Sequence, residues 1–316
     1  MKKIVVFGGG TGLSCLLSGL KLFPVDVTTV IAVSDNGSST GVLKKELDIP
    51  AVGDVGKVLI SMANVDEDFT RLLRYRFSKD GSLHNHPVRN IMLAALIDLK
   101  GSLTEATRYM CSLLNVKGTV LPLTEEKVEL VGENADHERE FYGQVEVSHN
   151  IRSITRLNYD HDVHVGQEVV SHILESDLIV FSPGSLYTSI LPHLIAEEVV
   201  EAIGKSSAPI LYVCNLVTQP GETDHYQVSD HLRVLNQYLG TRKVDIVLAN
   251  SAAIDPKVAD VYLTRENKTP VLLDRDLVEP LGARIVEDEL VSLEDGSVRH
   301  DAMKTAFLIF SYLMGK

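Results

Sequence analysis

A chain of 316 residues with 45% hydrophobic and 23% charged residues can build a full core and lies far from disordered or fibrous compositions. Its formal net charge of −13 argues against non-specific binding to nucleic acid or acidic membranes, which relies on clustered Lys and Arg to displace counterions. Cys15, Cys111 and Cys214 are far apart and form no CxxC pair, which fits a reducing compartment and excludes a cysteine-based zinc site.

The apolar run Ile4–Phe7 is cut after four residues by glycines, so it reads as a first strand and not as a signal peptide. No run of 18 or more apolar residues occurs, and a cytoplasmic protein without membrane association is expected. Further runs suited to buried parallel strands lie at Val27–Val33, Leu178–Phe181, Ile210–Val213 and Val244–Leu248. Candidate helices at Val55–Ala63, Phe69–Phe77, Val88–Leu99 and Leu103–Leu114 form a helical excursion after the second strand. Between Thr119 and Asn158, short alternating stretches (Lys127–Val131, Gly143–Val147, Ser153–Leu157) suggest a small β-rich insert. Asp301–Leu313 has apolar residues at helical spacing and reads as a docked last helix. The expected fold is α/β, a Rossmann-like, doubly wound and mostly parallel sheet. Residues 1–118 would hold its first part with the helical excursion, 119–160 the β-rich insert, and 161–316 the remainder.

Strand, then Gly8-Gly9-Gly10-Thr11-Gly12-Leu13, then an amphipathic helix is the arrangement in which backbone N–H groups and a helix dipole face an anion. The dinucleotide fingerprint G-x-G-x-x-G fails, since Leu13 or Cys15 occupies the place of its third glycine, and no P-loop Gly-Lys-Ser/Thr follows. The same glycines also suit a tight β-to-α turn. Ser34-Asp35-Asn36-Gly37-Ser38-Ser39-Thr40-Gly41 then offers a carboxylate, an amide and several hydroxyls for phosphate, ribose or hydrated Mg²⁺, or else forms an Asx-type turn. Asp35 sits about where a doubly wound sheet places its ribose-binding acid.

Two later loops follow buried strands: Ser182–Ser189, with hydroxyls on Ser185, Tyr187 and Thr188, and Asn215–Thr223. All these loops would converge on one crevice at the carboxyl ends of the strands. Gly-Ser-Leu is not a nucleophile elbow. His84/His86 and His161/His164 are spaced poorly for a metal, and Asp54 is either a metal-binding or basic carboxylate or a helix cap. Arg299, His300 and Asp301 read as the entry to the last helix.

Together Gly8–Leu13, Asp35–Gly41, Gly53-Asp54, Pro183–Ser189 and Asn215–Thr223 resemble the gluconeogenesis factor family, related to the CofD-like 2-phospho-L-lactate transferase. The resemblance runs over nearly the whole chain. It implies a Rossmann-like core and a bacterial regulator of central carbon metabolism and cell shape that binds a nucleotide or nucleotide-sugar, UDP-N-acetylglucosamine or UDP-glucose, with GDP or NAD as alternatives. Alternatively it implies a Mg²⁺-dependent phosphotransferase, with Asp35 or Asp54 placing the metal or accepting a proton. Ligand-binding positions are expected at Gly9, Gly10, Thr11, Gly12, Asp35, Asn36, Gly37, Ser38, Ser39, His86, Asn90, Pro183, Gly184, Ser185, Tyr187, Thr188, Asn215, Thr218, Gln219 and Gly221. A homo-oligomer is expected, with the insert's sheet as the candidate contact. The chain departs from the family pattern at Ser38 (usually Gly), Gly56-Lys57 (usually Arg-Asn), Asn85 and Arg89 (both usually Gly) and His193 (usually Asn), and the Cβ atoms and Pro87 narrow a loop that needs close backbone approach.

Overall fold

The computed structural model describes residues 1–134, 139–294 and 296–315. Its centre is a seven-stranded sheet of β1 (Lys2–Gly8), β2 (Val25–Ile31), β3 (Thr119–Pro122), β7 (Leu178–Phe181), β8 (Ile210–Val213), β9 (Ile246–Asn250) and β10 (Arg284–Asp288). Their spatial order is β10-β9-β8-β7-β1-β2-β3, and every neighbouring pair is parallel. The order reverses between β1 and β7, the topological switch point where open α/β sheets bind ligands. In the first halves of a doubly wound sheet both faces are covered, and alternate residues divide between them. Ile4 and Val6 face one apolar layer while Val5 and Phe7 face the other, and Leu178/Val180 against Ile179/Phe181 repeat the division.

Helices Gly10–Leu20, Gly53–Met62 and Ala302–Leu313 cover the first face. Helices Gln167–Glu175, Glu197–Lys205 and Val228–Tyr238 bury apolar stripes against the second. The last helix is capped by Asp301, whose side chain accepts the Lys304 N–H at 2.9 Å. No helix among the described residues is long and apolar enough to cross a membrane.

The region expected to be a β-rich insert divides differently. Its first strand, β3, pairs in parallel with β2 and so belongs to the core sheet. The insert proper is an antiparallel sheet of β4 (Leu130–Glu133), β5 (Glu140–Tyr142) and β6 (Arg156–Tyr159), in the order β5-β4-β6. Gly143–Val147, expected as a strand, begins the helix Gln144–Asn150, entered through Gly143 at φ +83°. One buried residue, Val147, is enough to dock that short helix, so period-two alternation there carried no information about packing. Ser153–Leu157 likewise starts on the last residue of a 3₁₀ turn, Ile151–Ser153, and enters β6 only at Arg156. The hairpin β11 (Val291–Glu294) with β12 (Ser297–His300) and the strand β10 had no counterpart among the expected strands. Their half-exposed, charge-bearing sequences lack the apolar run that marks a buried strand.

The insert is tied to the core by a buried lysine. Lys44, on helix Ser38–Leu47, donates to Val128 O at 2.7 Å and pairs with Glu129 at 2.6 Å. That helix occupies what the sequence suggested was an irregular polar loop, and it begins immediately after Gly37.

Candidate functional site at the switch point

Helix Gly10–Leu20 starts directly at the end of β1, with no side-chain cap and no acidic residue in its first turn. Its first N–H groups therefore lack intrahelical partners and face the cleft, with the positive end of the helix dipole behind them. Gly10 has φ +68°, a conformation that side chains rarely adopt. Gly12 is required for a different reason: a Cβ there would lie 2.3 Å from the carbonyl oxygen of Pro183. The loops after β1 and β7 thus pack backbone to backbone.

The loop after β7 is fixed by two side chains from the loop after β8. Asn215 accepts the Gly184 N–H with Oδ1 and donates Nδ2 to the Gly184 carbonyl, both at 2.8 Å, holding the backbone of that one residue through both of its polar groups. Glu222 accepts from Ser185 Oγ at 2.6 Å and from the Tyr187 N–H at 2.8 Å. Ser185 Oγ also accepts the Thr188 N–H and lies 2.6 Å from Thr188 Oγ1, which leaves it a structural cap and not a free nucleophile. Glu222 is 4% exposed and its Oε2 has no hydrogen-bond partner. Burial pushes its carboxyl up to about 6, against the opposing pull of Ser185 and the backbone N–H groups.

These loops enclose a cleft of about 320 Å³ lined by Gly9, Gly10, Thr11, Gly12, Pro183, Gly184, Ser185, Asn215, Thr218 and Gln219, all anticipated from the sequence. Cys15, Ser189, Lys268, Arg299 and His300 also line it, with the apolar Leu216, Val217 and Val298. Arg299 and His300 had been read as mere entry to the last helix, yet β12 delivers them to the mouth of the cleft. His300 donates Nε2 to the Cys214 carbonyl at 3.1 Å, and burial holds its imidazole neutral, down to about 4. Lys268 gave no sequence signal because it comes from a loop beyond helix Pro256–Glu266 with no motif around it.

The loop after β2 faces an adjoining chamber of about 220 Å³, lined by Asp35, Gly37, Ser38, Ser39, Thr40, Gly53, Lys57, Arg76, Arg89 and Asn90. A third hollow bounded by Thr11, Ser14, Lys57, Arg74 and Arg89 lies between it and the cleft, so Thr11 borders two of the three spaces. Burial, and then the nearby charge of Asp54, raise the Asp35 carboxyl above the usual range, while the Gly37 N–H donates to it at 2.9 Å. Asp54 lies in the first turn of helix Gly53–Met62 but makes no side-chain cap there and pairs with Lys57 at 2.7 Å instead. Among the described residues, no group of three or more His, Cys, Asp or Glu is placed to hold a metal.

Five anticipated positions lie outside these linings. Asn36 turns to the insert, accepting the Val145 N–H and donating to Glu129, both at 3.3 Å. His86 supports the chamber from behind, with Nδ1 2.8 Å from Ser39 Oγ. Tyr187 contacts Tyr226 hydroxyl to hydroxyl at 3.1 Å, Thr188 is buried beside Ser185, and the Gly221 N–H donates to Asp224 at 2.8 Å. The departures also sort by place. Ser38 takes φ +41° and Asn85 φ +59°. Gly56 and Arg89 touch: a Cβ on Gly56 would lie 3.1 Å from Arg89 Cδ, so the glycine makes room for the arginine. His193 is fully buried against Phe7, with ring nitrogens 3.1 Å from the Val30 and Ile190 carbonyls, and lines none of these spaces.

With this geometry in place, residues 4–291 match the family model described as 2-phospho-L-lactate transferase CofD. Among curated proteins the chain is 38% identical over 312 residues to the gluconeogenesis factor of Bacillus subtilis, covering 98% of each. It is 39% identical over 313 residues to a putative gluconeogenesis factor of Thermotoga maritima, covering 97% of this chain and 98% of that one. The chain belongs to the gluconeogenesis factor family, within the CofD-like proteins. The crystal structure of protein BH3568 from Bacillus halodurans matches with a TM-score of 0.93 at 38% identity, covering 98% of this chain and 99% of that one. In this gluconeogenesis factor family member the switch-point cleft, lined by Arg299 and Lys268, shares Thr11 with the hollow beside it, and that hollow shares Lys57 and Arg89 with the chamber lined by Asp35.

Proposed function

We propose that this member of the gluconeogenesis factor family is a regulatory protein that binds a phosphate-bearing nucleotide or nucleotide-sugar of the UDP-N-acetylglucosamine or UDP-glucose type, and that it acts in central carbon metabolism and cell shape. The observation that carries this reading is the uncapped start of helix Gly10–Leu20 opening into a cleft that also holds Lys268 and Arg299. Backbone N–H groups and two cations offer a diphosphate a locally favourable site in a chain of net charge −13. Ser185 and Asn215 are fully engaged in holding the loops, so they shape the cleft and do not supply a nucleophile.

A second reading, a Mg²⁺-dependent phosphotransferase, is favoured by Asp35 in the lining of the adjoining chamber and by Asp54, whose charge acts on it and which pairs with the chamber residue Lys57. Asp35, with its carboxyl raised, suits acceptance of a proton from an acceptor hydroxyl attacking a phosphoanhydride. Asp35 and Asp54 would be the residues to hold Mg²⁺, which would supply charge neutralisation on the phosphates.

Titration with UDP-N-acetylglucosamine, UDP-glucose, GDP and NAD, each with and without Mg²⁺, separates the readings by thermal midpoint. A ligand at 100 times its dissociation constant stabilises by about 2.7 kcal/mol. Stabilisation by a UDP-sugar, independent of Mg²⁺ and without turnover, supports the regulator. Mg²⁺-dependent GDP binding supports the transferase, and no shift with any nucleotide removes the cleft assignment.

A further inference from the structure

Beside the nucleotide cleft, one group of side chains is electrostatically incomplete. Arg89, in the first turn of helix Val88–Lys100, is only 7% exposed, yet its Nε has no hydrogen-bond partner. Its neighbour Asn90 is 3% exposed and donates Nδ2 to Ser39 Oγ at 3.3 Å, while its Oδ1 is also without a partner. Burying a guanidinium without a matching anion costs several kcal/mol. The cost is raised here by Arg76 and Arg74, which add to burial in pushing Arg89 down to about 10. Asp54, the acid that offsets this, is already paired with Lys57.

The arrangement is also held in place. Arg89 lies across Gly56, where even one added carbon would come within 3.4 Å of its Nε. Arg76 is fixed from the opposite side by donation to the Asn85 carbonyl at 2.7 Å, from a residue at φ +59°. Lys57, Arg76 and Arg89 therefore converge on a chamber in which Asp35 is the acid among the lining residues. A buried unpaired donor, a buried unpaired acceptor and an excess of positive charge all border the same space.

We propose that this chamber, bounded by Ser38, Lys57, Arg76, Arg89 and Asn90, binds a second anionic group of phosphate type, separate from the phosphates of the nucleotide. Unprotonated phosphate oxygens match the Arg89, Arg76 and Lys57 donors, and a P–OH supplies the donor that Asn90 Oδ1 lacks. The hollow lined by Thr11, Lys57 and Arg89 shares residues with both the chamber and the cleft, so the two anions would bind in neighbouring spaces. The site stands independently of what occupies the cleft.

The probe is inorganic phosphate, titrated calorimetrically at constant ionic strength with sodium chloride as the balancing salt, near neutral pH. Saturable binding to the wild-type protein is expected, weakened about tenfold or more in both Arg89→Gln and Arg76→Gln, since each loses a charge-assisted hydrogen bond. Arg76 is exposed, so its replacement leaves the core intact even if Arg89→Gln does not fold. In Arg299→Gln, which alters the cleft and not the chamber, phosphate affinity is expected within about twofold of wild type. The proposal is overturned if Arg76→Gln binds phosphate as tightly as wild type, if Arg299→Gln abolishes binding, or if chloride matches the effect of phosphate. Phosphate binding that persists when no nucleotide binds would keep this site and remove the nucleotide reading alone.

Discussion

Gly12 and Pro183 meet where the strand order reverses, and a Cβ on Gly12 would stand 2.3 Å from the Pro183 carbonyl oxygen. Backbone cannot yield as a flexible side chain can, so Gly12→Ala must separate the two loops that form the cleft. The expected cost is about 1–3 kcal/mol of stability, together with loss of nucleotide-induced stabilisation. Chemical denaturation and ligand titration of the same variant check both effects, and unchanged ligand binding would contradict the cleft assignment.

Ser38 occupies φ +41° at the start of helix Ser38–Leu47, and its side chain has no cap role there. A left-handed conformation costs a residue with a Cβ about 1–2 kcal/mol. Ser38→Gly is therefore expected to raise stability by about 1 kcal/mol, less than the full strain because glycine loses more backbone entropy on folding. Urea denaturation at pH 7 reads the change, and a destabilised variant would show that the hydroxyl contributes more than the strain costs.

Glu222 gives one pH-dependent term. Its carboxyl is raised from 4.5 to about 6, so the folded state holds a proton that the unfolded state has lost between those values. The associated stability is present below 4.5 and is lost as pH rises through 6, by about 2 kcal/mol. Glu222→Gln removes this dependence. Measured against wild type at pH 4.5 and 7, it should gain relative stability at the higher pH, offset in part by the weaker acceptor it offers to Ser185.

His193 and His300 act in the opposite sense. Burial lowers each from 6.5 to about 4, so the stability they carry is present above 6.5 and is lost as pH falls toward 4. Each contributes about 3 kcal/mol of acid sensitivity, which together outweighs the Glu222 term. Unfolding free energy should therefore fall between pH 6.5 and 4.5, with a shallower slope in His193→Gln. An equal slope in that variant would mean that His193 is not held neutral in the fold.

Gly56→Val tests the contact that orients Arg89. The added carbons must displace the Arg89 stem, whose Cδ and Cγ lie 3.1 and 3.3 Å from a Cβ at that position. A loss of about 1–3 kcal/mol is expected from overpacking, with reduced phosphate affinity in the adjoining chamber. Restoration of stability in Gly56→Val/Arg89→Gly, seen as a non-additive double-mutant cycle, would show that the two positions act as a pair.

The doubly wound sheet is legible in the amino-acid order, because Ile4–Phe7, Leu178–Phe181 and Ile210–Val213 are apolar on both faces and demand cover on both sides. So are the polar loops that follow those strands, since Gly9–Gly12, Pro183–Ser185 and Asn215–Gln219 are contiguous and each is preceded by a buried strand. Three features arise only when the chain is folded. Edge strands such as β3 and β10 are short or polar, and pairing rather than apolarity defines them. Lys57, Arg76, Arg89, Lys268 and Arg299 come from separate elements, so no local pattern marks their convergence. The separate destinations of neighbouring residues, Asp35 toward the chamber and Asn36 toward the insert, depend on which face of a turn packs against what. Local periodicity reports burial along one element, whereas a binding site is assembled from residues whose proximity exists only after the sheet and its helices have closed around it.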